Sequence, residues 1–302
     1  MKIMTLGNGF VADHLPYEKI VDHDGKPFRL WANKEYVEDM LFQCGKPDVI
    51  VNCIGRCGTP NVDWCEKNRA ETYEANVVIP LMLAQQCDKY NIRLIHIGSG
   101  CIFFGESPNY YLERHGDPHY NEDELIRVDT GWKEEDFANP ASYYSKTKYA
   151  CDLALGQMGN TTTLRIRMPI SDRDTPRNFI NKIKAYKQII DIPNSVTFMS
   201  DLTRCIEHVI EKDLRGIYHV VNPEPLSAAQ VMREYQKYVP DHKFDIITEQ
   251  QLDQITTAKR SNCIINGDKL RHTWFDMTNS EKALQECMKA YCNSEKRDVD
   301  VK

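Results

Sequence analysis

The chain has 302 residues, 41% of them apolar and 27% charged, with a formal net charge of -6. That length exceeds the usual single-core size, so one large domain or two intimately packed ones are expected, and disordered or fibrous classes are excluded. The acidic balance disfavours sequence-independent nucleic-acid binding; the longest apolar stretches, such as 76–84, are too short for a bilayer, and no signal-peptide region opens the chain, which points to a soluble, cytoplasmic protein.

In chain order, residues 2–6 read as a strand, 28–32 as a second, and 48–54 as a continuous apolar run of the buried-strand type. Helical patterns occupy 35–43 and a long segment from 63 to 90. Residues 93–99 form the next strand, 142–157 the next helix and 162–168 a further strand. This alternation predicts an α/β fold: a Rossmann-type, doubly wound parallel sheet with helices on both faces. Beyond Pro169 the rhythm is less regular, with helices at 178–187, 202–212 and 228–239 and strands at 196–199 and 216–221. The expected division is a dinucleotide-binding domain over 1–168 and a smaller substrate-binding region over 169–292, with elements free to interleave. Residues 293–302 lack apolar periodicity and are expected to fray.

Eleven cysteines are scattered without a C-x-x-C pair, so neither a zinc ribbon nor a disulfide framework is visible. His115 and His119 lie in a long connection, 104–140, without a third ligand; they read as surface residues, and no metal is expected. A connection of that length is usually functional or mobile, and could cap a substrate or make an oligomer contact.

The first predicted strand runs into Gly7-Asn8-Gly9-Phe10-Val11-Ala12, which fits G-x-G-x-x-G/A. Gly7 permits a tight turn, Gly9 lets backbone amides approach a pyrophosphate, and Ala12 lets the following helix pack close, with phosphate at its N-terminus. Phe10 and Val11 belong to the same turn. An NAD site usually carries Asp or Glu at the end of the second strand, whereas here no carboxylate precedes Glu35. Lys34 is placed to neutralise a 2′-phosphate, with Arg29 or Asn33 helping, so NADP(H) is the expected cofactor.

Tyr144 and Lys148 form Y-x-x-x-K, a spacing that puts both side chains on one helix face, where the ammonium can lower the phenol pKa and position a nicotinamide ribose. Tyr143 competes for the role, but only Tyr144 has a lysine four residues on. Ser99, at a strand end, can bond the same substrate oxygen. Glycine turn, Ser99, Tyr144 and Lys148 in that order resemble the extended short-chain dehydrogenase/reductases. The resemblance implies a tyrosine acid acting on a substrate oxygen while hydride moves between nicotinamide and the adjacent carbon.

The related nucleotide-sugar 4,6-dehydratases carry an Asp-Glu pair where this chain has Gly100 and Cys101. A cysteine two residues after the serine is similar to GDP-fucose synthase, in which that thiol removes a proton beside a ketone. Cysteine is partly ionisable near neutrality, and Tyr144 and Ser99 could stabilise the resulting enolate. Thr59-Pro60-Asn61-Val62-Asp63-Trp64-Cys65-Glu66, Gly100-Cys101-Ile102-Phe103, Lys133-Glu134-Glu135-Asp136, Arg167-Met168-Pro169-Ile170, Pro176-Arg177-Asn178-Phe179-Ile180 and Arg260-Ser261-Asn262 widen the likeness. Together they resemble the dTDP-4-dehydrorhamnose reductase-like family, in particular its bifunctional UDP-4-keto-6-deoxyglucose 3,5-epimerase/4-reductases.

That resemblance implies a UDP-sugar substrate and UDP-β-L-rhamnose as product. Ser99, Cys101, Tyr144, Lys148 and Lys182 are implied as catalytic, with Lys182 the candidate acid on the opposite face, although it reads equally as a solvated helix lysine like Lys184 or Lys187. Arg177, Asn178, Arg260 and Asn262 are implied at the nucleotide-sugar. Asn52, Ile54, Gly55, Asn76 and Pro169 are implied at the cofactor, and a homodimer stays open. Two alternatives remain: a single-function dTDP-4-dehydrorhamnose reductase, and a non-catalytic dinucleotide-binding regulator like that of methionine adenosyltransferase.

Overall fold

The computed structural model describes residues 1–26, 28, 33–115 and 124–300, apart from the side chains of 113–115, 124–127 and 295–300. The chain opens with β1 (Ile3–Leu6), a 3-10 turn at Ala12–His14, β2 (Glu18–Lys19), α1 (Lys34–Gln43) and β3 (Val49–Asn52). Then α2 (Asp63–Lys67) and α3 (Arg69–Tyr73) lead through a π turn, Glu74–Val78, into α4 (Ile79–Lys89) and β4 (Arg93–Ser99). A hairpin of β5 (Tyr110–His115) and β6 (Glu124–Asp129) precedes α5 (Tyr143–Leu155) and β7 (Thr161–Ile166). The later part holds β8 (Pro169–Ile170), α6 (Phe179–Lys184), β9 (Gln188–Ile190), β10 (Thr197–Phe198), α7 (Met199–Glu211) and β11 (Gly216–Val220). It closes with α8 (Ala228–Gln236), β12 (Asp245–Ile247), α9 (Glu249–Ile255), α10 (Asp268–Arg271) and α11 (Ser280–Asp300).

Strands β11, β7, β4, β3, β1 and β2 lie side by side in that order, all parallel. Residues of β3, β4 and β7 are buried throughout, which explains the apolar run of β3, while β4 and β7 also bury polar residues such as His96, Thr163 and Arg165. The strand period of two sends Ile50 into one core with Val37 and Met40 of α1, Leu83 of α4 and Cys151 of α5. Val49 and Val51 face the other way, against Leu202, Ile206 and Val209 of α7. The chain winds one way from β1 to β2 and the other way from β1 to β3, so the topological switch lies between the carboxyl ends of β1 and β3, where ligand crevices form.

A third core gathers Ile180 and Ile183 of α6, Met232 of α8, and Leu284 and Met288 of α11. Since β11 joins the central sheet and α7 packs against it, the chain returns to its first layer after 168.

Several sequence expectations need correction. The helix expected after the glycine turn is only the 3-10 turn Ala12–His14, because Pro16 denies a longer helix its amide, and β2 begins two residues later. The strand expected at 28–32 lies, except for Phe28, outside the described residues, as do Arg29 and His119. The long helix expected over 63–90 is broken at Asn68, the C-cap of α2, and again by the π turn. Residues from Asn293 to Asp300, expected to fray, continue α11. The connection over 104–140 carries the antiparallel β5–β6 pair, its base fastened where Ser107 bonds Asp129 and Asn109 bonds Asp136. Among the described residues no helix is long and apolar enough to cross a membrane.

Candidate active site

At the carboxyl edge of the sheet lies a cleft of about 480 Å³, walled on one side by the ends of β3, β4 and β7 and on the other by α6 and the segment 259–262. A second compartment of similar size continues from it around Gly7, Asn8, Gly9 and the loop from Cys53 to Thr59. Gly7 has φ of 128° in the left-handed half of the map, and a Cβ there would sit 3.3 Å from the carbonyl carbon of Cys53. Glycine is therefore required by both conformation and space. Nothing lies within 4 Å of the position a Gly9 Cβ would take, so the backbone there is open to a ligand. This compartment fits a dinucleotide pyrophosphate, even though the helix N-terminus expected behind it is a single 3-10 turn.

The loop over the second compartment is held from below. Asn76, fully buried in the π turn, accepts from Arg56 N at 2.7 Å and donates to Arg56 O at 3.0 Å and to Thr147 Oγ1 at 3.1 Å. Asn52 accepts from Ile54 N at 3.0 Å and meets His96 Nδ1 at 3.1 Å. Asn52 and Asn76 thus shape the cofactor wall without lining it, while Phe10, Val11, Ile54, Gly55 and Pro169 line the cleft directly. Asn33 is committed as the N-cap of α1, accepting from Tyr36 N at 3.0 Å, and neither it nor Lys34 lines the two compartments.

Helix α5 begins at Ser142, whose hydroxyl accepts from Ser145 N at 3.1 Å, and this cap sets which tyrosine faces inward. Tyr144 lines the cleft, whereas the Tyr143 ring stacks under Arg69 at 5.2 Å. One turn on, Lys148 donates to Ile97 O at 3.1 Å and meets His96 Nε2 at 3.2 Å. His96, fully buried, is pushed well below its usual range by burial and then by the Lys148 charge, so it is a neutral bridge between Lys148 and Asn52.

The expected lowering of the Tyr144 pKa is not what the environment produces. Burial drives it well above the ordinary phenol range, proximity to Cys101 and Cys57 adds to this, and the nearby Ser99 hydroxyl opposes. Tyr144 is a neutral phenol with its proton available for donation. Ser99 Oγ also accepts from Cys101 N at 3.2 Å, which ties the 3-10 turn Gly100–Ile102 to the strand end. Cys101 faces the same cleft, partly exposed, with the buried Arg167 guanidinium donating to its Sγ at 2.8 Å.

Lys182 of α6 lines the cleft, and this separates it from its neighbour: Lys184 is bound to Tyr291 Oη at 2.5 Å and to Asp174. Arg177 is exposed and borders both compartments. Arg260 also lines the cleft, but its guanidinium is held bidentate by Asp63 at 2.7 and 3.0 Å. Asn262 reaches the cleft while bonded to Glu249 and Asn194. Asn178 is elsewhere: fully buried, it caps α6 and spends its amide on Ser171 O and Arg173 O at 2.7 and 2.9 Å. Its role is to shape the turn that carries Arg177. His115 and His119 contribute no described side chain here, and no group of three or more His, Cys, Asp or Glu suited to a metal occurs among the described residues.

The profile of the RmlD substrate binding domain matches residues 30–293. The chain belongs to that family. Among its relatives, the trifunctional UDP-glucose 4,6-dehydratase/UDP-4-keto-6-deoxy-D-glucose 3,5-epimerase/UDP-4-keto-L-rhamnose-reductase of Arabidopsis thaliana is 33% identical over 274 residues. That alignment covers 88% of this chain and 38% of the relative, so the chain spans well under half of that protein's length. A bifunctional dTDP-4-dehydrorhamnose 3,5-epimerase/dTDP-4-dehydrorhamnose reductase from the same plant is 34% identical, covering 85% of this chain and 80% of the relative. The crystal structure of a UDP-rhamnose synthase from Acanthamoeba polyphaga mimivirus superimposes with a TM-score of 0.81 at 26% identity, over 96% of this chain and 99% of that one.

Within this RmlD-family chain, sequence reasoning gave no role to His96, which meets Lys148, to Arg167, which meets Cys101, to Asn194, which meets Arg167, or to Cys57, which lines the cleft. His96 was findable as a polar residue among the apolar residues at the middle of β4. The others come from separate segments, and no local spacing joins them.

Proposed function

We propose that the protein is an NADPH-dependent nucleotide-sugar 3,5-epimerase/4-reductase that converts UDP-4-keto-6-deoxy-D-glucose to UDP-β-L-rhamnose. The observation that carries this reading is the convergence of Cys101, Ser99, Tyr144 and Lys182 on one cleft that is continuous with the glycine-turn compartment. A reductase alone has need of Tyr144 and Ser99; a thiol and an ammonium beside them suit proton removal and return. A binding-only regulator has need of neither.

Epimerisation requires the C3 and C5 protons, each alpha to the C4 ketone, to leave one face and return on the other. Cys101 takes the proton, the C–H electron pair passes into the enolate, and Tyr144 and Ser99 donate hydrogen bonds to O4, where negative charge develops. Lys182 then delivers a proton to the opposite face. The Gly7–Val11 turn, Ile54, Gly55, Pro169 and Lys148 would hold NADPH, which would supply the hydride that adds to C4. As C4 is reduced, Tyr144 passes its proton to O4, a role suited to a phenol that burial keeps protonated. Arg177, Arg260 and Asn262 are the candidates for the sugar diphosphate, with Arg260 shared with Asp63.

The test is incubation with UDP-4-keto-6-deoxyglucose and NADPH in deuterated water. The expected outcome is NADPH oxidation with deuterium at C3 and C5 of the product. If neither occurs, the enzyme reading fails; NADPH oxidation confined to an already epimerised dTDP-sugar, without exchange, would assign the single-function reductase instead.

A further inference from the structure

Arg167 directly follows β7 and is only 1% exposed. One terminal nitrogen donates to Cys101 Sγ at 2.8 Å and to Ser261 Oγ at 3.4 Å; the other donates to Ser261 O at 2.8 Å and to Asn194 Oδ1. The oxygen acceptors are all neutral. Among the described residues no carboxylate pairs with this guanidinium, and the ionisable groups beside it are Cys263, Cys101 and Tyr144. A buried guanidinium without a counter-ion is costly, so one of these three is expected to carry the balancing charge.

Two of them are unsuited to it. Burial pushes the Cys263 thiol up, and its Sγ donates to Gly100 O at 3.7 Å. Burial likewise keeps the Tyr144 phenol neutral. Cys101 remains, at hydrogen-bond distance and partly open to the cleft. Residue 100 makes the approach sterically possible: a Cβ on Gly100 would lie 2.8 and 2.9 Å from Cγ and Cδ of Arg167.

We propose that Arg167 is the positioning residue for Cys101, its buried guanidinium holding the sulfur as a thiolate that faces the cleft. A thiolate can take a proton from carbon without first surrendering one, and becomes a thiol as the C–H electron pair enters the enolate; no oxidant or reductant is involved. This use in proton abstraction rests on the epimerase reading, whereas the charge pairing itself is measurable with no sugar present.

The test is alkylation of the full chain with iodoacetamide from pH 6.5 to 9, with modification of Cys101 and Cys57 quantified separately by peptide mass spectrometry. In the native protein the Cys101 rate is expected to vary less than threefold over that range. Arg167→Met is expected to slow Cys101 at pH 6.5 at least tenfold while leaving Cys57, in the same cleft, within threefold; Arg167→Lys restores most of the loss. An unchanged Cys101 rate in Arg167→Met overturns the proposal. If that variant does not fold, the native profile decides: a fall of about a hundredfold from pH 9 to 6.5, as an ordinary thiol shows, overturns it equally. Arg167-dependent alkylation without deuterium exchange at sugar C3 and C5 would support the pairing while removing the epimerase reading.

Discussion

Asn76 offers a quantitative test of how the π turn supports the cofactor compartment. In Asn76→Ala the side chain no longer accepts from Arg56 N or donates to Arg56 O, and Thr147 loses a donor. Asn76 is fully buried, so water does not readily replace it. Leaving two backbone groups unpaired at about 1–2 kcal/mol each gives a loss of about 2–4 kcal/mol. With an unfolding entropy near 2.1 cal/mol/K per residue over the 302-residue chain, that loss lowers Tm by about 3–6 °C. The loop bearing Ile54, Gly55 and Cys57 loses its anchor, so KM for NADPH is expected to rise several-fold while kcat at saturation changes little. Differential scanning calorimetry and initial rates read the two effects. A variant with native Tm and native KM would refute the reasoning, because the bonds to Arg56 would then contribute nothing to either fold or binding.

Lys182→Met is expected to cut deuterium exchange at C3 and C5 by about a hundredfold or more, while reduction of an already epimerised sugar persists. Lys184→Met, which breaks the contact with Tyr291, is expected to lower Tm and spare exchange; the reverse pattern would reassign the acid. Tyr144→Phe is expected to reduce NADPH oxidation by about 10²–10⁴-fold, and a residual rate within tenfold of native would remove its acid role. Burial holds His96 and His219 well below their ordinary pKa. The unfolded chain therefore binds protons near pH 6.5 that the folded chain does not, and stability is expected to fall as pH drops from 7.5 to 5.5. Tm measured across that range should decline, and a flat or rising profile contradicts the assignment.

The sheet was legible where burial on both faces favours apolar and β-branched residues: β1, β3, β4 and β7 all stand where such runs predict them, although β7 reads through its threonines rather than through apolar residues. The glycine turn was legible too, but the length of the helix behind it was not, because the fingerprint ends at Ala12 and is blind to Pro16. Tyr144 and Lys148 could be paired by spacing along one helix, whereas the protonation of Tyr144 depends first on burial and then on Cys101, Cys57 and Ser99, all of which only folding supplies. Asn178 and Arg177 are neighbours in sequence, and nothing in that pairing tells that one amide closes a turn while the adjacent guanidinium faces the cleft. Arg167 was unreadable for the same reason: its partners sit in segments around residues 101, 194 and 261.

The bidentate contact between Arg260 and Asp63 ties the cleft-lining segment 259–262 to the first residue of α2, almost two hundred positions earlier. Such a clasp fixes the position of Arg260 in the cleft during folding rather than during ligand capture. Less conformational freedom is then lost when a nucleotide-sugar arrives, which favours selection by fit over closure around whatever enters. On the proposed reading an anionic diphosphate would compete with Asp63 for this one guanidinium, so salt that screens the competition is expected to affect release of the sugar nucleotide more than the chemistry deeper in the cleft.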